Sequence, residues 1–138
     1  MITVIEQAVQ ARLVATAPKV DTVPVTLGYD RSDPYAVRMS FPAPATLEGV
    51  EVAWTFAREL LEVGLERPAG AGDVRVRPYD ARRTVVEFHA PEGVAIILMD
   101  GADLRGFLDR AATVVPPGLE HHYLDLDGEL AALLRDSN

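Results

Sequence analysis

The 138-residue chain has no cysteine. That excludes a disulfide framework and any thiolate metal site, so the fold must rest on core burial. Lysine is nearly missing: of the 13 basic residues only Lys19 is not arginine. Long hydrophobic runs are missing too. The longest is Val94–Met99, whereas a membrane helix needs about 20 apolar residues. The first stretch, MITVIEQAVQARLVATAPKV, has no basic leading segment and is interrupted by Glu6, so it makes a poor signal peptide. Positive charge is outweighed, with 21 acids against 13 bases and a net charge of −8. Such a field repels phosphate backbones unless a local basic patch overrides it. These deficits predict a soluble, cytoplasmic, single-domain protein over residues 1–138. Its 49% apolar content suffices for one core and is too little for two.

What the chain does have is alternation. Ile5, Val9, Ala11 and Leu13 share one face, and Val23, Val25, Leu27 and Tyr29 make a second stripe. Tyr35, Val37, Met39 and Phe41 make a third; Val50, Val52 and Trp54 make a fourth. Short connections between these strands favour antiparallel pairing. The fourth strand leads into a short helix, FARELLEVGL, with Thr55 as its expected cap and Gly64 as a left-handed stop. The second half repeats the plan with strands near Asp73–Tyr79, Arg83–His89 and Val94–Met99. A helix from about Ala102 to Val115 follows, with Asp100 able to cap it and Pro116-Pro117 to stop it. A last helix is expected from about Leu126 to Arg135, with Asp125, Asp127 and Glu129 in its first turn. Each stripe needs cover. The expected fold class is therefore α+β, two packed antiparallel β-sheets of about four plus three strands with about three helices.

The run VAIILM breaks the alternation, because both its faces are apolar. If Val94, Ile96 and Leu98 face the core, Ala95, Ile97 and Met99 need other cover. Each large aliphatic side chain buried is worth roughly 1.5–3 kcal/mol. A helix of the same chain or a neighbouring subunit could supply that cover, so Ala95, Ile97 and Met99 form a candidate subunit interface.

No segment carries a reactive constellation. In YDRSDPYAVRMSF, Asp30, Asp33 and Pro34 read as a turn, since short aspartates bond their own backbone there. In EHHYLDLD, the adjacent His121 and His122 point opposite ways on an extended chain, which disfavours one shared ion. His89 falls on the polar face of its strand. Gly70 and Gly72 follow a helix and precede a strand, the reverse of a phosphate loop. Arg75 and Arg77 share a strand face, and Arg82 and Arg83 open the next strand. These four make a candidate basic patch for a partner, either an acidic protein surface or, less suited without aromatic stackers, nucleic acid. No metal, cofactor or catalytic residue is expected.

Three stretches together resemble one family. LGYDRSDPYAVRMSF, WTFARELLEVGLERPAGAGDVRVRP and VPPGLEHHYLDLDGELAALL are similar, in this order, to the SsgA-like proteins of sporulating actinomycetes, most closely the SsgB-type members. The resemblance implies a non-enzymatic role in cell division and sporulation. It implies helping to position the tubulin-like protein FtsZ at septa, together with other divisome or SsgA-like proteins. It implies a Whirly-like fold assembled as a homotrimer, cytoplasmic and recruited to division septa. Because the Whirly fold binds single-stranded nucleic acid, it also leaves that alternative open.

Overall fold

The computed structural model describes residues 4–14, 20–43 and 49–124. The elements are β1 (Val4–Val14), β2 (Val20–Asp30), β3 (Ala36–Phe41), β4 (Val52–Ala57), α1 (Arg58–Gly64), β5 (Val74–Pro78), β6 (Arg83–Ala90), β7 (Gly93–Asp100) and α2 (Gly101–Val114). A 3₁₀ turn, Glu120–Tyr123, follows. The third helix expected from sequence lies outside the described residues.

The α+β class and the antiparallel pairing hold, but the two-sheet arrangement does not. The strands form one seven-stranded sheet in the order β4-β3-β2-β1-β7-β6-β5. The junction is the pairing of Ala11–Val14 in β1 with Met99–Ile96 in β7. Alternation shows which face of a strand is apolar; it does not show whether two strand sets face each other or share an edge. Here they do both, because the sheet curls. Phe88 of β6 lies 5.1 Å from Trp54 of β4 and 5.4 Å from Phe41 of β3, centroid to centroid. In a flat sheet β4 and β6 would stand about 24 Å apart. The inner face of the curl gathers Ile5, Val9, Val25, Leu27, Val37, Met39, Val76, Val86, Ile97 and Met99 into one core.

α2 closes the inner face. Asp100 accepts a hydrogen bond from the Ala102 amide at 2.9 Å, as its position before the helix predicts. Leu104, Phe107, Ala111 and Val115 are buried. Gln7 of β1 donates to the Asp103 carbonyl at 3.2 Å and accepts from Arg110 at 3.0 Å, fixing helix to strand.

Three local expectations are corrected. β4 runs on to Ala57, held by its pairing with Ala36, so α1 starts at Arg58 and Thr55 caps nothing. Gly64 is not a left-handed stop. It is the last residue of α1, and a Cβ there would lie 2.4 Å from Val76 Cβ, so it permits close approach of α1 to β5. Tyr35 precedes β3 instead of joining its stripe. It is 49% exposed, and Pro34 is buried beside it.

Candidate functional site

Within the stretch from Tyr29 to Phe41 the chain leaves β2, turns and enters β3, and the turn forms for the reason its aspartates suggest. Asp30 Oδ1 accepts from the Ser32 amide and hydroxyl, both at 2.8 Å, and its carbonyl accepts from the Asp33 amide at 2.9 Å. These bonds hold the Asp30 carboxyl below its ordinary pKa. Tyr29 at the end of β2 is buried. Its hydroxyl donates to the Pro34 carbonyl at 2.8 Å and accepts from Arg58 Nη1 at 2.9 Å.

Arg58 is the residue that sequence reading missed. It sits where β4 becomes α1, and its amide donates to the Tyr35 carbonyl at 2.7 Å. That bond continues the β3–β4 pairing one residue past Ala57, at the point where α1 begins. Nη1 bonds the Tyr29 hydroxyl and the Val115 carbonyl, both at 2.9 Å, and the guanidinium lies 5.1 Å from the centre of the Tyr29 ring. Two carboxylates approach it: Glu62 Oε1 is 3.7 Å from Nε and Glu120 Oε1 is 3.9 Å from Nη1. One cation thus ties together β2, α1, the end of α2 and the 3₁₀ turn. Burial raises the Tyr29 hydroxyl above its ordinary pKa, against the lowering effect of Arg58. Burial likewise raises the Glu62 carboxyl, again opposed by Arg58. The only sequence signal for this cluster was the spacing of Arg58 and Glu62, one helical turn apart. The cluster borders a cleft of about 340 Å³ lined by Tyr35, Glu59, Glu62, Pro117 and Glu120 as well.

The four arginines expected as a basic patch lie on the β5–β6 hairpin, and two of them are paired with acids in place. Arg77 pairs with Glu87 across the strands. Arg83 holds Asp80 through two bonds, at 2.9 and 2.7 Å, and lies over the Tyr79 ring at 4.9 Å. The Arg83 bonds lower the Asp80 carboxyl and raise Arg83 in return. Arg75 donates to the Gly72 carbonyl at 3.2 Å, and Arg82 is exposed.

On β7 the faces are the reverse of those expected. Ile97 and Met99 are 1% exposed and lie in the core, while Ala95 is exposed near the start of the strand. Cover for Ile97 and Met99 comes from the chain itself. The outward face carries Val94, Ile96 and Leu98, with Val14 of β1 opposite Ile96 and Val85 of β6 opposite Leu98. His89 does occupy the outward face of β6, but it is partly buried and lies 3.4 Å from Glu87. His121 and His122 do not point apart; within the 3₁₀ turn their ring centres are 4.2 Å from each other. Among the described residues no three His, Asp or Glu side chains are grouped to hold a metal. Asp125 and Asp127 lie outside those residues. Nor is any helix among them long and apolar enough to cross a membrane.

Known proteins resemble this chain in both sequence and fold. A family model for the Streptomyces sporulation and cell division protein SsgA matches residues 23–120. The sporulation-specific cell division protein SsgB of Streptomyces coelicolor is 41% identical over 140 residues, covering 99% of this chain and 100% of that protein. The SsgB of Kineococcus radiotolerans is 42% identical, covering 96% of this chain and 81% of that protein. Among solved structures, the SsgA-like sporulation-specific cell division protein of Thermobifida fusca superposes with a TM-score of 0.82 at 35% identity, over 94% of this chain and 95% of that one. The SsgA family of sporulation and cell division proteins is therefore the family to which this chain belongs.

Proposed function

We infer that the protein is a non-enzymatic component of cell division, in sporulation or septation, that works by protein–protein recognition and helps to position the FtsZ-type ring protein at septa. The observation that carries this reading is the match to SsgB along nearly the whole of both chains. The polar chemistry of the described residues agrees with it. Arg58 ties elements together, Asp30 and Asp100 finish a turn and a helix, and Asp80 and Glu87 hold arginines. Co-sedimentation with polymerised FtsZ tests the reading. Co-pelleting that survives moderate salt is expected, and no binding at any salt concentration would overturn it.

Self-association is part of this reading, as a homotrimer. Its surface is the outward side of β7 and its neighbours, Val14, Val94, Ile96 and Leu98, because Ile97 and Met99 are already covered. Leu98→Glu is expected to lower the mass measured by light scattering to that of a monomer; a monomeric wild type at high concentration refutes the idea. Single-strand nucleic-acid binding through a Whirly-like surface gains little from the β5–β6 hairpin, where Asp80 and Glu87 already occupy two of the four arginines.

A further inference from the structure

The tip of the β5–β6 hairpin is braced from within and displays an aromatic ring to solvent. Asp80 braces it. Its Oδ1 accepts from the Arg82 and Arg83 amides at 2.9 and 2.8 Å, and its Oδ2 accepts from Arg83 Nε and Nη2 at 2.9 and 2.7 Å. The Tyr79 amide donates to the Arg83 carbonyl at 2.9 Å and closes the hairpin. The Arg82 carbonyl accepts from the Gly101 amide at 2.8 Å and ties the tip to the first residue of α2. Tyr79 nevertheless stays 60% exposed. The Arg83 guanidinium covers one face of its ring, with Cζ 4.9 Å from the centre, so the exposure falls on the other face and the edge.

Sequence spacing groups Arg82 and Arg83 with Arg75 and Arg77. The fold adds a different companion. A Cβ on Gly101 would lie 3.1 Å from Arg105 Nη1 and 3.2 Å from the Arg82 carbonyl, so Arg105 of α2 reaches back to the tip. Arg82 and Arg105 are both exposed. Two acids lie beside them. Asp80 is engaged by Arg83, and Asp100, opposite Arg83 in the β6–β7 pairing, accepts from the Ala102 amide. Asp103, two residues from Arg105 on α2, faces another side of the helix. Three arginines against two aspartates leave the tip positive on a chain of net charge −8.

A braced turn that already holds its side chains in place loses little further freedom on binding. Tyrosine and arginine are also the residues enriched where interface energy concentrates. The partner's chemistry follows from what is exposed. Arg82 and Arg105 call for carboxylates, and the open side of the Tyr79 ring calls for an apolar side chain. A segment with acids flanking one apolar residue supplies both. Single-stranded nucleic acid fits less well. Arg83 already occupies one ring face, Asp80 and Asp100 stand beside the arginines, and an acidic chain repels a continuous phosphate backbone.

We propose that this hairpin tip is a docking knob for an acidic segment of a protein partner, with Tyr79 taking an apolar side chain and Arg82 and Arg105 the carboxylates on either side of it. The proposal rests on the recognition reading above and names the chemistry of one contact.

The test is a titration of the full ¹⁵N-labelled chain at low salt with acetyl-Glu-Phe-Glu-amide. Acetyl-Gln-Phe-Gln-amide, the same shape without the charge, is the control. The acidic peptide is expected to shift the amides of Tyr79 to Arg83 and of Gly101 to Arg105, and the control to leave them in place. Arg82→Gln should weaken binding about threefold, within the range of exposed ion pairs. Arg82 serves the fold through its main chain, so the variant stays folded. Tyr79→Ala, at an exposed position, should weaken binding several-fold. Arg38→Gln, on β3 with β2, β1 and β7 between it and β6, should leave it unchanged. Equal shifts with the glutamine peptide, or full binding by both Arg82→Gln and Tyr79→Ala, would overturn the proposal. Larger shifts of the same amides with a short oligothymidylate would overturn it in favour of nucleic acid. Failure of the peptide with intact FtsZ co-sedimentation sinks the hairpin tip and spares the recognition reading. Peptide binding without co-sedimentation does the reverse.

Discussion

Arg58 shows how one buried charge is accommodated. Burying a guanidinium is costly unless its donors are satisfied. Here neutral oxygens of Tyr29 and Val115 take the inward N–H groups, and the carboxylates of Glu62 and Glu120 stay slightly farther off. Glu62 bears part of the strain. Burial raises its carboxyl above the ordinary 4.5, while Arg58 lowers it and Glu120 and Glu59 raise it further. The folded state therefore binds the Glu62 proton more tightly than the unfolded chain does. That contribution to stability is complete below the unfolded pKa and is lost as pH rises through the folded one. Glu62→Gln, which cannot ionise, should thus be more stable than wild type at about pH 7, with the gap closing by about pH 3.5. Urea midpoints at the two pH values check this. A gap that does not change with pH would mean that Glu62 acts through packing.

At the scale of the element, α1 is set by its contact with β5 more than by its own residues. It has only seven residues and no side-chain cap; such a helix is marginal alone and depends on tertiary packing. Gly64 makes that packing possible. In an ordinary helix, Gly→Ala stabilises by about 1 kcal/mol. Here Gly64→Ala should instead destabilise by about 1–3 kcal/mol, the usual cost of overpacking, because the new Cβ meets Val76 Cβ and Cγ1 at 2.4 Å. Val76→Ala keeps its own Cβ and so should not rescue it. Urea denaturation of the two single variants and the double variant decides the point. The stripes of β1, β2 and α2 could be read from sequence because each element buries one face. β7 could not, since both its faces are apolar and only the partners of Ile97 and Met99 reveal which is inside. The start of α1 was misread because a cross-strand pair, Ala36 with Ala57, outweighs a helical pattern in FARELL. The Arg58 cluster was invisible for a plainer reason: two of its partners, Tyr29 and Val115, are 29 and 57 residues away along the chain.

At the scale of the molecule, the curl of the sheet replaces the facing sheets expected from sequence. Two strand sets with one apolar face each can be covered by stacking or by bending one continuous sheet. The four-pair junction of β1 with β7 commits this chain to bending. What holds the bend shut is aromatic: Phe88 meets the edge of Phe41 in a T-shaped contact and tilts against Trp54. Closure also bears on the cleft, because Trp54 and Phe56 on β4 fix the strand from which Arg58 emerges. Phe88→Ala should therefore cost about 3–5 kcal/mol, as large aromatic truncations do. It should also uncover Trp54, the single tryptophan, and shift its emission to the red. Val86→Ala on the same strand removes a fully buried side chain that makes no ring contact with Trp54, so it should lower stability while leaving that emission in place. The two variants, measured by urea unfolding and by fluorescence of the folded state, separate loss of core from opening of the curl. If Val86→Ala moves the tryptophan signal as far as Phe88→Ala does, the aromatic contact is not what keeps the sheet closed.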